Sequence, residues 1–306
     1  MNLYFAPMEG ITSYTYRNAH FECFGGSDKY FAPFVVPTEN ERITLKTLRD
    51  LLPENNIVKV VPQVLGNNWE VFSEFSKKLE CLGYDEVNLN FGCPSGTVVK
   101  KARGAGILKN LELIDRFLDG AFSNSNIKIS VKTRVGFDVH DEFENILKVY
   151  NKYPLSELII HPRVREEYYK GKASTETFEM AYHNTKLDLC YNGDVWQKED
   201  YLKITEKFSG IKSVMCGRGA VKNPALFREI NGGKRLETSE LINFSKVLEE
   251  RYLTLLKSEH YTFLRLKELW MLMVLNDPDE KAVKAIKKSK KMCDLNCAIG
   301  SLPNIK

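Results

Sequence analysis

The sequence predicts an α/β protein: a (β/α)8 TIM barrel over residues 1–233, followed by a small C-terminal helical domain over 234–306. Three observations carry this expectation. Eight short β-rich apolar runs alternate with longer stretches whose apolar residues recur every three or four positions. Polar residues gather at the ends of those runs. Past Asn231-Gly232-Gly233 the alternation stops and only helical periodicity remains. A length of 306 residues suits one barrel with an appendage.

The expected strands cover 3–6, 30–34, 58–64, 86–90, 127–133, 157–161, 188–192 and 213–216. Between them, 69–82, 111–122, 142–153 and 198–208 have the spacing of helices packed on a sheet. Eight strands with intervening helices favour a closed barrel over an open doubly wound sheet. In the tail, 240–257, 263–275 and 280–292 read as helices, the last after Asp277-Pro278. The Gly232-Gly233 pair marks the boundary. Residues 1–7 lack a basic segment and a long apolar run, so they read as the start of a strand rather than a signal peptide.

Composition narrows the class. With 43% apolar and 27% charged residues, the chain can bury an ordinary core, which excludes disordered and fibrous architectures. No run of eighteen apolar residues is present, so no membrane span is expected and a cytoplasmic monomer is the default. Seven scattered cysteines without a CxxC pair argue against a disulfide framework or a metal site. Most are expected to be small buried residues. The net charge of +4 lies wholly in residues 234–306, which hold 14 Lys or Arg against 10 Asp or Glu. Lys281, Lys284, Lys287, Lys288, Lys290 and Lys291 dominate it. Such a run is either a solvated helix face or a surface for phosphate backbones.

In a barrel the C-terminal strand ends converge on one mouth, so seven distant segments should line one pocket. They are Met8-Glu9, Gln63, Asn90 with Cys93, Lys132, His161, Asn192-Gly193-Asp194 and Gly217-Arg218. The last two follow the seventh and eighth strands, where barrels commonly hold phosphate. Glycine lets backbone N–H groups approach phosphate oxygens, and Arg218 can pair with them. Either turn alone would mean little. Lys132, inside a barrel, needs an anionic partner or a nucleophilic role such as a Schiff base. Gln63 can read a ring edge through paired hydrogen bonds. His161 ends an apolar run, which favours pocket placement over core packing. Cys93 is held between Gly92 and Pro94, and a thiol of ordinary pKa is protonated at neutral pH and can act as a general acid.

Taken together these segments resemble the tRNA-dihydrouridine synthase family. The resemblance runs through Ala6-Pro7-Met8-Glu9-Gly10-Ile11-Thr12, Gln63-Val64-Leu65-Gly66, Asn88-Leu89-Asn90-Phe91-Gly92-Cys93-Pro94 and Val131-Lys132-Thr133-Arg134-Val135-Gly136. It continues in His161-Pro162-Arg163, Tyr169-Lys170-Gly171, Asn192-Gly193-Asp194 and Gly217-Arg218-Gly219-Ala220. It implies an FMN-dependent enzyme that takes reducing equivalents from NADPH and acts on tRNA, with rRNA the other RNA to consider. Pro7, Met8 and Glu9 would hold the isoalloxazine, and Gln63 and Lys132 its pyrimidine edge. Asn192, Gly193, Asp194, Gly217 and Arg218 would take the ribityl phosphate. His161 would lie beside the cofactor, with Asn90, Arg163 and Tyr169 near the substrate. Flavin N5 would deliver hydride to uracil C6, and Cys93 would protonate C5. The chain departs from the family's usual residues at Ser13 and Asn88 (aspartate), Thr97 (lysine), Pro162 (glycine) and Ser174-Thr175 (Asp-Trp). Three rival readings are an FMN barrel acting on a free pyrimidine, as in dihydroorotate dehydrogenases, a Schiff-base aldolase using Lys132, and a non-catalytic RNA-binding protein.

Overall fold

The computed structural model describes residues 1–38, 45–274 and 280–302. Leu275 and Asp277-Pro278, used above to delimit the tail helices, lie outside them. Strands β1 (Asn2–Phe5), β2 (Lys29–Phe31), β3 (Val60–Val61), β4 (Gln63–Val64), β5 (Glu86–Phe91), β6 (Lys128–Gly136), β7 (Leu158–Val164), β8 (Leu189–Tyr191) and β9 (Ser213–Cys216) form one parallel sheet. Its order is β3-β2-β1-β9-β8-β7-β6-β5-β4.

Nine segments therefore replace the eight expected strands. The cause is Pro62, which has no N–H to give to a ladder and divides the third strand into β3 and β4. Both halves fill one place in the ring: β3 pairs with β2 and β4 with β5. Val35 tightens this join, donating to Gln63 O at 2.8 Å and accepting from Leu65 N at 2.8 Å.

The alternating pattern of β5 sets two environments. Val87, Leu89 and Phe91 join the apolar layer under the helices, whereas Glu86, Asn88 and Asn90 make hydrogen bonds within the barrel. A second, smaller apolar cluster contains Tyr4, Ala6, Phe31, Val61, Ile159, Cys190 and Met215. Helix Trp69–Cys81 begins where Asn68 Oδ1 accepts from Val71 N at 2.8 Å, and Leu111–Asn124 where Asn110 Oδ1 accepts from Leu113 N at 2.9 Å. Each such cap contributes about 1 kcal/mol. Phe72 and Phe117, from these two helices, meet with ring centroids 5.6 Å apart. Burying each ring stabilises by roughly 1.5–3 kcal/mol.

Helix Glu142–Tyr150 stops short of the expected 153, and Lys198–Lys207 matches its expected span closely. Periodicity missed Tyr14–Cys23 because it buries a mixed set: Thr15, Tyr16, Arg17, Ala19 and His20. The Arg17 terminal nitrogens donate to Thr12 O at 2.7 Å, Asp50 O at 2.9 Å and Asn56 Oδ1 at 2.7 Å. His20 Nε2 donates to Pro224 O at 2.8 Å, so Nδ1 accepts from the Tyr30 hydroxyl at 2.7 Å. Burial lowers its pKa to about 3, as befits a core histidine. Of the seven cysteines, Cys190 and Cys216 are buried. Cys81, Cys293 and Cys297 are exposed, against the expectation that most would lie inside.

The tail holds helices Thr238–Leu256, Glu259–Met273, Glu280–Lys288 and Met292–Gly300. The third expected helix, drawn to 292, ends at Lys288. There the Ser289 carbonyl accepts from Lys267 Nζ at 2.6 Å, and Asp294 Oδ2 accepts from Lys290 N at 3.1 Å. These bonds use backbone groups that a continuous helix would need. The chain turns out of the barrel at Gly232, whose φ of 85° favours glycine. The tail then packs back on the barrel. Phe244 meets Tyr16 and Phe24 edge-on at 5.6 and 5.2 Å, and Arg265 Nη1 donates to Gly10 O at 2.8 Å. Among the described residues no helix is long and apolar enough to cross a membrane.

Candidate active site

Register brings the inward residues of neighbouring strands side by side. Asn88 pairs with Ser130 and Asn90 with Lys132 across β5 and β6, and Gln63 pairs with Asn88 across β4 and β5. Because side chains alternate along a strand, Ser130, Lys132 and Arg134 face the same way. Lys132 and His161 do not end their strands as expected: β6 runs on to Gly136 and β7 to Val164.

Cys93 follows β5 in a loop fixed by its own sequence. The Asn90 side-chain oxygen accepts from Gly92 N at 3.1 Å and from Cys93 N at 2.9 Å. The Cys93 carbonyl accepts from Ala105 N at 3.0 Å. A Cβ on Gly104 would fall 2.8 Å from that carbonyl and 2.9 Å from Cys93 Cβ, so only glycine fits there. Burial raises the Cys93 thiol pKa more than the Ser95 backbone and the Arg134 charge lower it, and Glu9 in the first loop adds to the rise. The thiol therefore keeps its proton at neutral pH. We expect Cys93 alkylation by iodoacetamide, followed peptide by peptide by mass spectrometry, to stay slow at neutral pH. It should accelerate only above the range of an ordinary thiol. A rate already at its plateau at pH 7 would contradict the retained proton.

Lys132 has no hydrogen-bond partner among the described residues, and burial first, then Arg134, lower its pKa to about 8. His161 Nδ1 donates to Asn192 O at 2.6 Å, which leaves Nε2 as an acceptor. That atom is buried without a partner. Burial, reinforced by Arg134 and Lys132, pushes the imidazole pKa well below its usual value, so the ring is neutral.

The turns after β8 and β9 meet through Asp194. Its Oδ2 accepts from Arg163 Nη2 at 2.5 Å and from Ala173 N at 3.0 Å, while Oδ1 accepts from Arg218 Nη2 at 3.0 Å. Arg163, 1% exposed, also donates to Lys170 O and Gly171 O, and its Nη1 is buried without a partner. Arg218 lies 4.7 Å from the Tyr169 ring and 5.0 Å from that of Trp196. Gly193 and Gly217 let these turns pack closely: a Cβ on Gly217 would come within 3.3 Å of Ala6 Cβ and 3.8 Å of Met8 Sδ. Met8 thus lies against the Gly217 turn.

The fold brings nine of the expected residues together in three contacting groups, while Met8 lies near Gly217 and Lys132 is paired in register with Asn90. Gln63, Asn90 and Cys93 form one; His161, Asn192 and Tyr169 a second; Arg163, Asp194 and Arg218 the third. Sequence reasoning missed Arg134 and Trp196. Arg134 ties the Cys93 loop to the loop after β7, donating to Gly92 O at 2.9 Å, Val164 O at 2.8 Å and Tyr168 O at 2.7 Å. Its position two residues beyond Lys132 was the available signal, masked by ending that strand at 133. Among the described residues no group of three or more His, Cys, Asp or Glu is placed to hold a metal ion.

A morphinone reductase mutant in complex with tetrahydroNAD superposes with a TM-score of 0.55 at 10% identity, over 76% of this chain and 87% of that one. A variant of NCR from Zymomonas mobilis gives 0.53 at 9% identity, over 77% and 88%. These likenesses establish the barrel fold. In sequence, a Staphylococcus aureus protein named "Probable tRNA-dihydrouridine synthase" is 30% identical over 240 residues, covering 73% of this chain and 70% of its own. A Neisseria meningitidis tRNA-dihydrouridine(16) synthase is 29% identical over 283 residues, covering 88% and 84%. The sequence pattern of the family described as Dihydrouridine synthase (Dus) matches residues 4–285, so this chain is an oxidoreductase of the dihydrouridine synthase family.

Proposed function

We propose that the protein reduces uridines in tRNA to 5,6-dihydrouridine, with FMN as its cofactor and NADPH as the reductant. The observation that carries this reading is a thiol held protonated at a barrel mouth where buried polar atoms await partners. His161 Nε2 and Arg163 Nη1 are the unpaired atoms, and Lys132 Nζ adds an unpartnered cation. They fit a flavin mononucleotide in kind: a phosphate for the arginines, an electron-rich ring edge for Lys132, and a ring N–H for the neutral histidine. When bound, the flavin supplies the hydride that reaches uracil C6.

The chain's own residues do the rest. Asp194 is an acceptor only, so it does not hold phosphate itself. It aims Arg163 and Arg218 at the place between the two turns. Lys132 offers positive charge where negative charge gathers on the ring. Gln63 and Asn90 bind and orient ring edges, Tyr169 covers His161 at 6.2 Å, and Cys93 Sγ gives its proton to uracil C5. A uridine stacked in RNA cannot reach this depth, so the base must be extruded from the RNA fold.

Two features receive the RNA. A cleft of about 390 Å³ opens between the first loop and the tail, lined among others by Glu9, Tyr14, Phe34, Arg49, Tyr252 and Arg265. Lys281, Lys284, Lys287, Lys288, Lys290 and Lys291 are all exposed on the tail. An enzyme of free pyrimidines would need neither. We propose that residues 234–306 form the RNA-binding part and that the protein works in the cytoplasm.

The purified protein is expected to be yellow, and its NADPH oxidation should speed up when tRNA lacking dihydrouridine is added. Mapping of the product tRNA should then show dihydrouridine, with position 16 the first to read given the Neisseria relative's name. A colourless protein that takes up no FMN would overturn this reading.

A further inference from the structure

We propose that Asn88 is a positioning residue: it sets the polarity of a hydrogen-bond chain that fixes how Gln63 presents its amide and anchors the Cys93 loop. The chain crosses the barrel interior from an ion pair to the loop. Lys29 Nζ donates to Glu86 Oε2 at 2.7 Å, and Glu86 Oε1 accepts from the Ser130 hydroxyl at 3.0 Å. Ser130 Oγ in turn accepts from Asn88 Nδ2 at 2.9 Å, and Asn88 Oδ1 accepts from Gln63 Nε2 at 2.7 Å. Gln63 Oε1 accepts from Asn90 Nδ2 at 2.8 Å. Asn90 Oδ1 closes the chain on Gly92 N and Cys93 N at 3.1 and 2.9 Å.

Both ends have fixed polarity. An ammonium and a backbone N–H can only donate, and a carboxylate can only accept. Starting from either end, every amide between them is forced into the same orientation, and the two directions agree. Turning Gln63 over would set its nitrogen against Asn90 Nδ2 and its oxygen against Asn88 Oδ1. Gln63, Asn88 and Ser130 are wholly buried, so water cannot repair such a mismatch. Gln63 is therefore held with its Nε2 toward Asn88 and its Oε1 toward Asn90.

Asn88 is the member on which this polarity turns. An aspartate there could still accept from Gln63 but would have nothing to give Ser130. Ser130 has one hydroxyl proton, and Glu86 Oε1 at 3.0 Å already takes it, with Val87 O at 3.5 Å the more distant alternative. Two carboxylates would compete for one proton. The amide at 88 thus matches the carboxylate at 86, and the pair can be exchanged only together.

This inference rests on the function proposed above for what Gln63 and Cys93 contact, but not for the chain itself. The test compares Asn88→Asp with the double variant Glu86→Gln/Asn88→Asp, which exchanges acid and amide and lets every link form again. The readouts are the FMN dissociation constant and the iodoacetamide rate at Cys93 in flavin-free protein. Asn88→Asp is expected to weaken FMN binding by about tenfold or more, the scale of one mispaired buried polar group. It should also speed alkylation several-fold as the loop loosens. The double variant should return to within about threefold of the parent on both. A single variant indistinguishable from the parent overturns the proposal, and so does a double variant no better than the single, failure of both to fold included. Should the parent bind no FMN, the functional reading falls, while the alkylation rates still decide the role of Asn88.

Discussion

Cys93→Ala is expected to slow dihydrouridine formation on tRNA by about 10²–10⁴-fold, the usual contribution of a positioned general acid. Bound flavin should stay in place, and NADPH should bleach its absorbance at the parental rate. The dissociation follows from the geometry. Apart from the contact of the sulfur itself with the Ser95 backbone, the loop is held by backbone and Asn90 contacts at Gly92 N, Cys93 N and the Cys93 carbonyl, none of which involves the thiol. Removing the sulfur therefore takes away a proton without moving the site. Stopped-flow bleaching with NADPH, then product mapping after tRNA is added, separates the two halves. Full activity on tRNA in this variant would remove the thiol from the mechanism, and loss of flavin would make it a binding residue.

Asp194→Ala is expected to be costly in a different way, because one carboxylate serves two arginines. Arg163 has a side chain 1% exposed and would be left as a buried charge with two carbonyl contacts. Breaking a fully buried pair costs about 3–5 kcal/mol. Asp194 is itself 23% exposed, so solvent screening reduces this to roughly 2–3 kcal/mol. In a chain of this size that corresponds to a fall of roughly 3–5 °C in melting temperature. FMN affinity should fall with it, since neither arginine would then be aimed, whereas Asp194→Asn keeps one acceptor oxygen and should lie between. Melting curves and flavin titration read both quantities. An unchanged melting temperature together with unchanged affinity would mean that the pairing is incidental.

Much of this site could be read along the chain, and the reasons are local. Gly92-Cys93-Pro94 announces a tight loop, and the glycines after β8 and β9 announce close backbone approach. A period of two in β5 separates Val87, Leu89 and Phe91 from Glu86, Asn88 and Asn90 without any knowledge of neighbouring strands. Helix starts at Asn68 and Asn110 are visible for the same reason, since a cap acts within three residues. Errors arose where local pattern is silent or ambiguous. Pro62 divides a strand that apolar content alone makes continuous. Helix Tyr14–Cys23 hides behind buried Arg17 and His20, whose partners are Asp50, Asn56, Tyr30 and Pro224. The lysine-rich tail helix looks unbroken until Lys267, from another helix, takes the carbonyl of Ser289.

The sequence by itself determined the barrel, the helical tail, the family and the residues that gather at the mouth, because periodicity, turn chemistry and motif spacing are properties of consecutive residues. Only the tertiary structure decided what those residues are to one another. It made His20 a neutral core residue and left His161 with an open acceptor, although both are lone buried histidines. It turned Asp194 from one more residue of a phosphate loop into the carboxylate that holds Arg163 and Arg218. It also brought Lys29, Glu86, Ser130, Asn88, Gln63 and Asn90 into one line ending at Cys93. Burial and hydrogen-bond polarity depend on which strand lies beside which, and that register is settled only when the ring closes.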